Sequence, residues 1–93
     1  NRAGGGLRDL VHARDLHLVL VPGSPDRPVR FRVRIDGAAP GASHGSDIDE
    51  QGFGTVRDGR LYQLVRQAGP VAERTVEIEF LDPGVRAYAF TFG

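Results

Sequence analysis

The sequence contains no cysteine, no methionine, no tryptophan and no lysine. Without cysteine the chain has no disulfide, no thiol redox centre and no cysteine-ligated zinc site of its own. Its apolar runs fall far short of the roughly 20 residues that span a bilayer, so direct membrane insertion is not expected. The chain also has no excess of positive or negative charge, because twelve arginines balance twelve acidic residues. This balance gives no electrostatic signature for binding nucleic acid.

The 93 residues are enough for one domain with a modest core. Three consecutive glycines, Gly4 to Gly6, carry a large entropic cost on ordering. We therefore interpret residues 1–6 as a linker and residues 7–93 as a single domain. Because the chain starts without methionine, we expect it to be a segment of a longer protein.

Alternation of apolar and other residues with a period of two dominates the sequence and predicts β-strands. In the first clear run, Leu16 to Val21, leucines occupy one face, and Val19 and Val21 on the other face are apolar too. Apolar residues on both faces are typical of a strand that is covered on both sides. The predicted strands are Leu16–Val21, Val29–Ile35, Thr55–Arg57, Arg60–Val65, Val76–Phe80 and Ala87–Phe92.

The segment Leu7–Ala13 is compatible with a helix or a strand. Leu7, Leu10 and Val11 have helical spacing, but seven residues are few for a helix that must nucleate alone. We prefer the strand. Six to eight short strands, separated by turns about every ten residues, then predict an all-β fold, an antiparallel β-sandwich or jelly roll.

Two connections between the predicted strands stand out. The stretch Ala38–Gly54 loses the alternation and is long for a connection, and such loops are commonly functional or mobile. Asp58 and Gly59 have the composition of a tight turn, and we predict a β-hairpin between the strands on either side.

The strand Val29–Ile35 carries a basic row, Arg30, Arg32 and Arg34, on one face. One interpretation is a site for an anion or a phosphate. The other is pairing with the acidic row of Glu77 and Glu79, with each pair worth about 0.2–1 kcal/mol. The equal charge count favours pairing between the two rows.

The long loop contains three closely spaced carboxylates, Asp47, Asp49 and Glu50. Oxygen-rich loops bind calcium, so a calcium-stabilised module is one hypothesis. The spacing of an EF-hand is absent, and glycine-rich acidic loops are more often solvated. Our preferred interpretation is a loop that holds no cofactor.

Catalysis by this chain is not indicated. His12 and His17 are candidate general bases, but no serine lies in a nucleophile-elbow context. Phe53 between two glycines is suited to act either as an exposed platform or as a plug over the end of the barrel, and core placement is the ordinary expectation for Tyr62. The candidate ligand groove consists of Phe53, Tyr62, Asp47 and Asp49.

Four groups of residues occur in a characteristic order along the chain: Ala13–Leu20, Ile35–Gly41, Gly45–Asp49 followed by Arg60–Arg66, and Phe80–Gly93. In this order they resemble the C-terminal domain of DipZ-type proteins, which are bacterial relatives of the DsbD and cytochrome c biogenesis thiol-disulfide transporters. The resemblance covers about residues 7 to 93. It implies a β-sandwich similar to carbohydrate-binding modules that follows a thioredoxin-like domain with a CxxC pair.

This chain has no CxxC pair, so none of the family's redox residues is assigned to it. The resemblance implies a non-catalytic accessory module of an extracytoplasmic thiol-disulfide oxidoreductase, on the periplasmic or cell-wall side and tethered through a membrane-associated parent. The implied partner is the thioredoxin-like domain of the same parent, with a client protein or a glycan as further candidates. The alternative is a carbohydrate-binding module that recognises a cell-wall or extracellular glycan.

Overall fold

A computed structural model describes residues 5–92, with residues 88 and 89 described in their backbone alone. These residues form seven β-strands and a short 3₁₀ helix over Gly41–Ser43, which confirms the all-β prediction. The strands are β1 Gly6–Val11, β2 Asp15–Pro22, β3 Val29–Ile35, β4 Phe53–Val56, β5 Arg60–Arg66, β6 Arg74–Phe80 and β7 Val85–Phe92.

The strands form two antiparallel sheets. The four-stranded sheet has the order β1-β6-β3-β4, and the three-stranded sheet has the order β5-β2-β7. Because buried side chains from both sheets belong to one cluster, the sheets pack face to face as a β-sandwich. The centre of this core includes Leu16, Leu18 and Leu20 of β2, Val29, Phe31 and Val33 of β3, and Leu64 of β5.

The polar groups inside this core are satisfied. Among the side chains that the structure describes, no buried nitrogen or oxygen lacks a hydrogen-bond partner. Gln67, the one buried polar side chain there, donates to the carbonyl oxygens of Ala13 and Ala72 and accepts from the Ala72 N–H. Gln67 thereby ties the β1–β2 connection to the segment that leads into β6.

The Asp58–Gly59 turn does not close a hairpin, and this prediction is wrong. β4 pairs with β3 in one sheet, whereas β5 pairs with β2 in the other. The turn therefore carries the chain from sheet to sheet. Its shape is held by the Tyr62 hydroxyl, which donates to the Asp58 carbonyl oxygen at 2.7 Å and accepts from the N–H groups of Arg57 and Asp58.

The strand prediction for the segment that begins at Leu7 is confirmed. After β3, Asp36–Gly37 forms a tight turn with φ angles of 52° and 79° at its two central residues. β1 begins at Gly6, the last residue of the segment interpreted as a linker. Residues 1–4 of that segment lie outside the described residues.

The long connection between β3 and β4 runs along the edge of the three-stranded sheet. His44 forms an antiparallel bridge with Val65 of β5, and the Gly45 N–H donates to the Leu64 carbonyl oxygen at 2.9 Å. The loop thus covers an edge that would otherwise expose unpaired backbone groups. Within residues 5–92, no helix has the length and hydropathy needed to cross a membrane.

Candidate functional site

Two of the predicted ligand residues, Asp49 and Phe53, lie together where the long loop enters β4. The Asp49 Oδ1 atom accepts hydrogen bonds from the backbone N–H groups of Gln51 at 3.0 Å and of Phe53 at 2.9 Å. Gly52 adopts φ 96° in this turn, and a Cβ atom there would overlap with the Val33 carbonyl oxygen. Asp49 and Gly52 therefore set the direction in which Phe53 leaves the loop.

The Phe53 side chain is 42% exposed, as expected for a platform residue. The guanidinium of Arg32 lies 4.8 Å from the ring centroid, in the geometry of a cation–π contact. Arg32 Nε also donates to the Gln51 carbonyl oxygen at 3.3 Å. Beside the ring is a shallow depression of about 310 Å³ lined by Arg30, Asp49, Phe53, Gly54, Thr55 and Leu81.

Tyr62 does not belong to this depression. Its side chain is only 1% exposed, and its ring packs edge-on against Phe31 with 6.4 Å between centroids. The guanidinium of Arg60 lies 3.9 Å from the Tyr62 ring centroid. Because the ring fills the core and the hydroxyl is bonded to the Asp58 turn, Tyr62 does not offer a surface for a sugar.

Asp47 is also directed elsewhere, towards the start of β5. Its Oδ1 atom accepts from Arg60 Nη2 at 2.8 Å, and its Oδ2 atom accepts from the Gln63 N–H at 2.7 Å. The hydrogen bond from Arg60 is the main cause that lowers the pKa of the Asp47 carboxyl, and the Gln63 N–H adds to it. Asp47 therefore fastens the long loop to the sheet edge.

The three carboxylates of the calcium hypothesis do not converge on one point. Asp47 and Asp49 already accept hydrogen bonds from the protein, and Glu50 is exposed. Within residues 5–92, no group of three or more histidine and carboxylate side chains is placed to hold a metal ion. This geometry gives the calcium hypothesis no support.

The predicted facing of the arginine and glutamate rows is confirmed by the register of β3 and β6. Arg32 lies opposite Glu79, and Arg34 lies opposite Glu77. The ion pair that forms is diagonal, from Arg34 Nη1 to Glu79 Oε1 at 3.0 Å. Arg30 extends away from this pairing and contacts the β6–β7 turn.

The outer face of the three-stranded sheet carries an apolar patch that we define as Val19, Val21 and Leu61. Leu18 and Leu20 are buried, so the alternation of β2 directs Val19 and Val21 outwards. Leu61 of β5 lies directly opposite Val19 in the strand register and is 43% exposed. Val19 and Val21 on the central strand and Leu61 on the neighbouring strand therefore lie on the same outer face.

Polar groups flank the apolar patch at both ends of β2. Asp15 at one end of β2 lies 3.5 Å from Arg14 and 3.7 Å from Arg66, measured between side-chain N and O atoms. Arg86 of β7 lies opposite Val21 at the other end. An apolar centre with a polar rim is the usual anatomy of a protein–protein contact.

A profile of the thioredoxin-like C-terminal domain family matches residues 1–93. The chain belongs to this family. No curated protein and no solved structure matched the chain. Membership makes this thioredoxin-like C-terminal domain an accessory module of a thioredoxin-related protein, which confirms the coarser part of the resemblance noted from the sequence.

The two outer faces of the thioredoxin-like C-terminal domain differ in chemistry. In the three strands of the sheet that carries the apolar patch, Asp15 alone has a carboxylate. The outer face of the four-stranded sheet presents charged side chains from three strands: Arg8, Arg30, Arg32, Arg34, Glu77 and Glu79. The charged face is suited to water, and the apolar patch is suited to a partner.

The sequence contained a partial signal for the apolar patch. Val19 and Val21 break the alternation of β2 and predict a strand covered on both faces. Leu61 gave no such signal, because only the register with β2 shows that it lies beside Val19.

Proposed function

We propose that this domain is a non-catalytic module of a DipZ-type thiol-disulfide oxidoreductase and packs against the thioredoxin-like domain of the same protein through the apolar patch. The family supports the association with a thioredoxin-related protein. The single observation that carries the packing role is the exposed Leu61 beside Val19, on the charge-poor face of the sandwich. The location that goes with this proposal is extracytoplasmic, as the resemblance to DipZ-type proteins implies.

The composition of the chain supports placement beside a redox centre. Thiol-disulfide exchange proceeds through attack of a thiolate on a disulfide. A module without cysteine cannot form mixed disulfides with a neighbouring CxxC pair or with its clients. The module can therefore lie close to the reacting sulfurs and shape their surroundings without taking part in the exchange.

The apolar patch with its polar rim has the mixed character of a contact between domains of one chain. Such contacts bury about 600–1,500 Å² and are more polar than permanent subunit interfaces. Burial of apolar surface contributes about 25 cal/mol per Å², so a few aliphatic side chains suffice when the linker already holds the partners together. The polar rim formed by Asp15, Arg66 and Arg86 matches this intermediate character.

The proposal is tested by disulfide reduction with the full-length protein, compared with a version that lacks residues 7–93. Deletion is expected to change the turnover or the range of client proteins. Leu61→Arg in the full-length protein should reproduce the effect of the deletion, because a guanidinium cannot be buried against an apolar surface without a partner. Leu10→Arg is the matched control, since Leu10 is an exposed leucine, 59% accessible, on the four-stranded sheet.

Two results of this comparison would contradict the proposal. Equal turnover and equal client range with and without the domain would remove its basis. An equal effect of the two leucine substitutions would show that the apolar patch is not the contact surface.

A second candidate function is carbohydrate binding, and the observation that favours it is the exposed Phe53 ring beside Asp49 and the shallow depression. Aromatic rings with one free face are the usual platforms for sugar rings. Calorimetric titration with cell-wall sugars tests this function directly, with Phe53→Ala as the variant that should abolish any heat of binding. Absence of heat with every sugar would exclude it.

A further inference from the structure

A cavity of about 770 Å³ lies at one end of the sandwich, between the β2–β3 loop and the β6–β7 turn. Ser24, Arg27 and Pro28 line it on the loop side, and Pro83 and Gly84 line it on the turn side. Its volume is within the range of about 300–1,000 Å³ that small-molecule sites occupy. The loops at the ends of β-sandwiches are also the positions where binding sites are often built.

The two walls of this cavity are held in place by the fold. The Gly23 N–H donates to the Gly84 carbonyl oxygen at 2.5 Å, which joins the loop to the turn. A Cβ atom at Gly23 would lie 2.9 Å from that oxygen, so the close approach requires glycine. Asp82 anchors the turn to β3 through hydrogen bonds from Arg30. A site with fixed walls loses little conformational entropy when a ligand binds.

The charge of the cavity follows from the same contacts. The negative charge of Asp82 is balanced by the bidentate contact with Arg30. Arg27 is exposed and forms no ion pair with any part of the chain that the structure describes. One uncompensated guanidinium therefore remains at the cavity, beside the exposed rings of Pro28 and Pro83.

We propose that this cavity binds a ligand in which a carboxylate is attached to an aromatic or bulky apolar group. Arg27 pairs with the carboxylate, since guanidinium recognises carboxylate with two parallel hydrogen bonds. Pro28 and Pro83 contact the apolar group with their ring faces. Two sources supply this chemistry, a free aromatic acid and the C-terminal residue of a peptide.

The test is a titration of the isotope-labelled chain, followed by amide chemical shifts, with N-acetylphenylalanine and with its uncharged carboxamide. We expect saturable shifts at Gly23, Ser24 and Gly84. The acid should bind about tenfold more tightly than the carboxamide, because only the acid forms a charge-assisted pair with the guanidinium. Arg27→Gln should remove this difference, whereas Arg57→Gln, an exposed arginine outside the cavity, should leave it unchanged.

A glycine peptide that ends in a free phenylalanine distinguishes the two sources. Tighter binding of the peptide than of N-acetylphenylalanine assigns the site to peptide C-termini, and weaker binding assigns it to free acids. Either ranking supports the site, provided that Arg27→Gln weakens both ligands. Equal affinity for the acid and the carboxamide, or shifts centred on Phe53 instead, would overturn the proposal.

Discussion

Asp82 in the β6–β7 turn accepts three hydrogen bonds from Arg30 of β3. Arg30 Nε lies 2.9 Å from Asp82 Oδ2, Arg30 Nη2 lies 2.9 Å from Oδ1, and the Arg30 backbone N lies 3.0 Å from Oδ2. The side-chain hydrogen bonds and then the backbone hydrogen bond lower the pKa of Asp82 to about 2. One residue thereby joins the turn that leads into the three-stranded sheet to a central strand of the four-stranded sheet.

This contact predicts a pH dependence of stability. The unfolded chain has an aspartate pKa of about 3.9, so the lowered pKa of Asp82 stabilises the fold above that value. The contribution is lost as the pH falls through the folded pKa of about 2. Asp82→Asn should therefore lower the Tm at pH 7, and its deficit should shrink between pH 4 and pH 2. Thermal unfolding followed by circular dichroism measures both.

The control for Asp82 is Asp26→Asn, because Asp26 is exposed and forms no ion pair among residues 5–92. This variant should unfold like the unmodified chain at each pH. A deficit of Asp82→Asn that stays constant from pH 7 to pH 2 would contradict the assignment.

The turn between β4 and β5 predicts that the Tyr62 hydroxyl stabilises the fold. Tyr62→Phe keeps the buried ring but leaves three backbone groups of Arg57 and Asp58 without this partner. We expect the free energy of unfolding to fall by about 1–3 kcal/mol, as for other buried polar groups that lose a hydrogen bond. Urea denaturation measures the change, and a loss below about 0.5 kcal/mol would show that water replaces the hydroxyl without penalty.

A third prediction concerns Asp47, which the structure assigns to the loop rather than to a ligand. Asp47→Ala removes the hydrogen bonds from Arg60 and Gln63, with an expected cost of about 1–3 kcal/mol for bonds to a charged acceptor. Glu50→Ala is the matched control in the same loop and should change stability by less than about 0.5 kcal/mol. Equal effects of the two substitutions in urea denaturation would contradict a structural role specific to Asp47.

A pair of glycines tests the packing of the long loop. Gly52 and Gly69 both have a positive φ, at 96° and 78°, but a Cβ atom would overlap with the Val33 carbonyl oxygen only at Gly52. Gly69→Ala should cost about 1–2 kcal/mol from backbone strain alone. Gly52→Ala should cost at least about 3 kcal/mol, because overlap adds to the strain. Similar Tm values for the two variants would mean that the loop moves away from β3 at no cost.

The strands were predictable where alternation was strict. Val29–Ile35 and Val76–Phe80 were recognised because each places apolar residues on one face and charged residues on the other, and a period of two is typical of a half-buried strand. The facing of their charged rows followed from charge complementarity.

Assignment of strands to sheets was not predictable from the same pattern. The composition of Asp58–Gly59 indicates a tight turn, but it does not show whether the next strand stays in the same sheet. Here the Tyr62 hydroxyl and the pairing of β5 with β2 decide the path, and both depend on long-range contacts. The pairing of Arg30 with Asp82 could not be predicted for the same reason, since the two residues lie 52 positions apart along the chain.

The candidate ligand groove illustrates a further limit of the sequence. Phe53 and Asp49 were predicted together and are neighbours because they are four residues apart in one loop. Tyr62 was grouped with them by residue type, but its ring points into the sandwich and belongs to the core. Residue type suggested the chemistry, whereas burial determined which side chains are accessible.

The central claim is that the apolar patch packs against the thioredoxin-like domain of the same protein. The most direct measurement is the relaxation of leucine and valine methyl protons by a soluble gadolinium chelate, in the isolated domain and in the full-length protein. The Leu61 methyls should relax several-fold more slowly in the full-length protein, because a partner then excludes the chelate, while the methyls of Leu10 should be unchanged. Equal relaxation of Leu61 in both proteins, or protection of Leu10 instead, would contradict the claim.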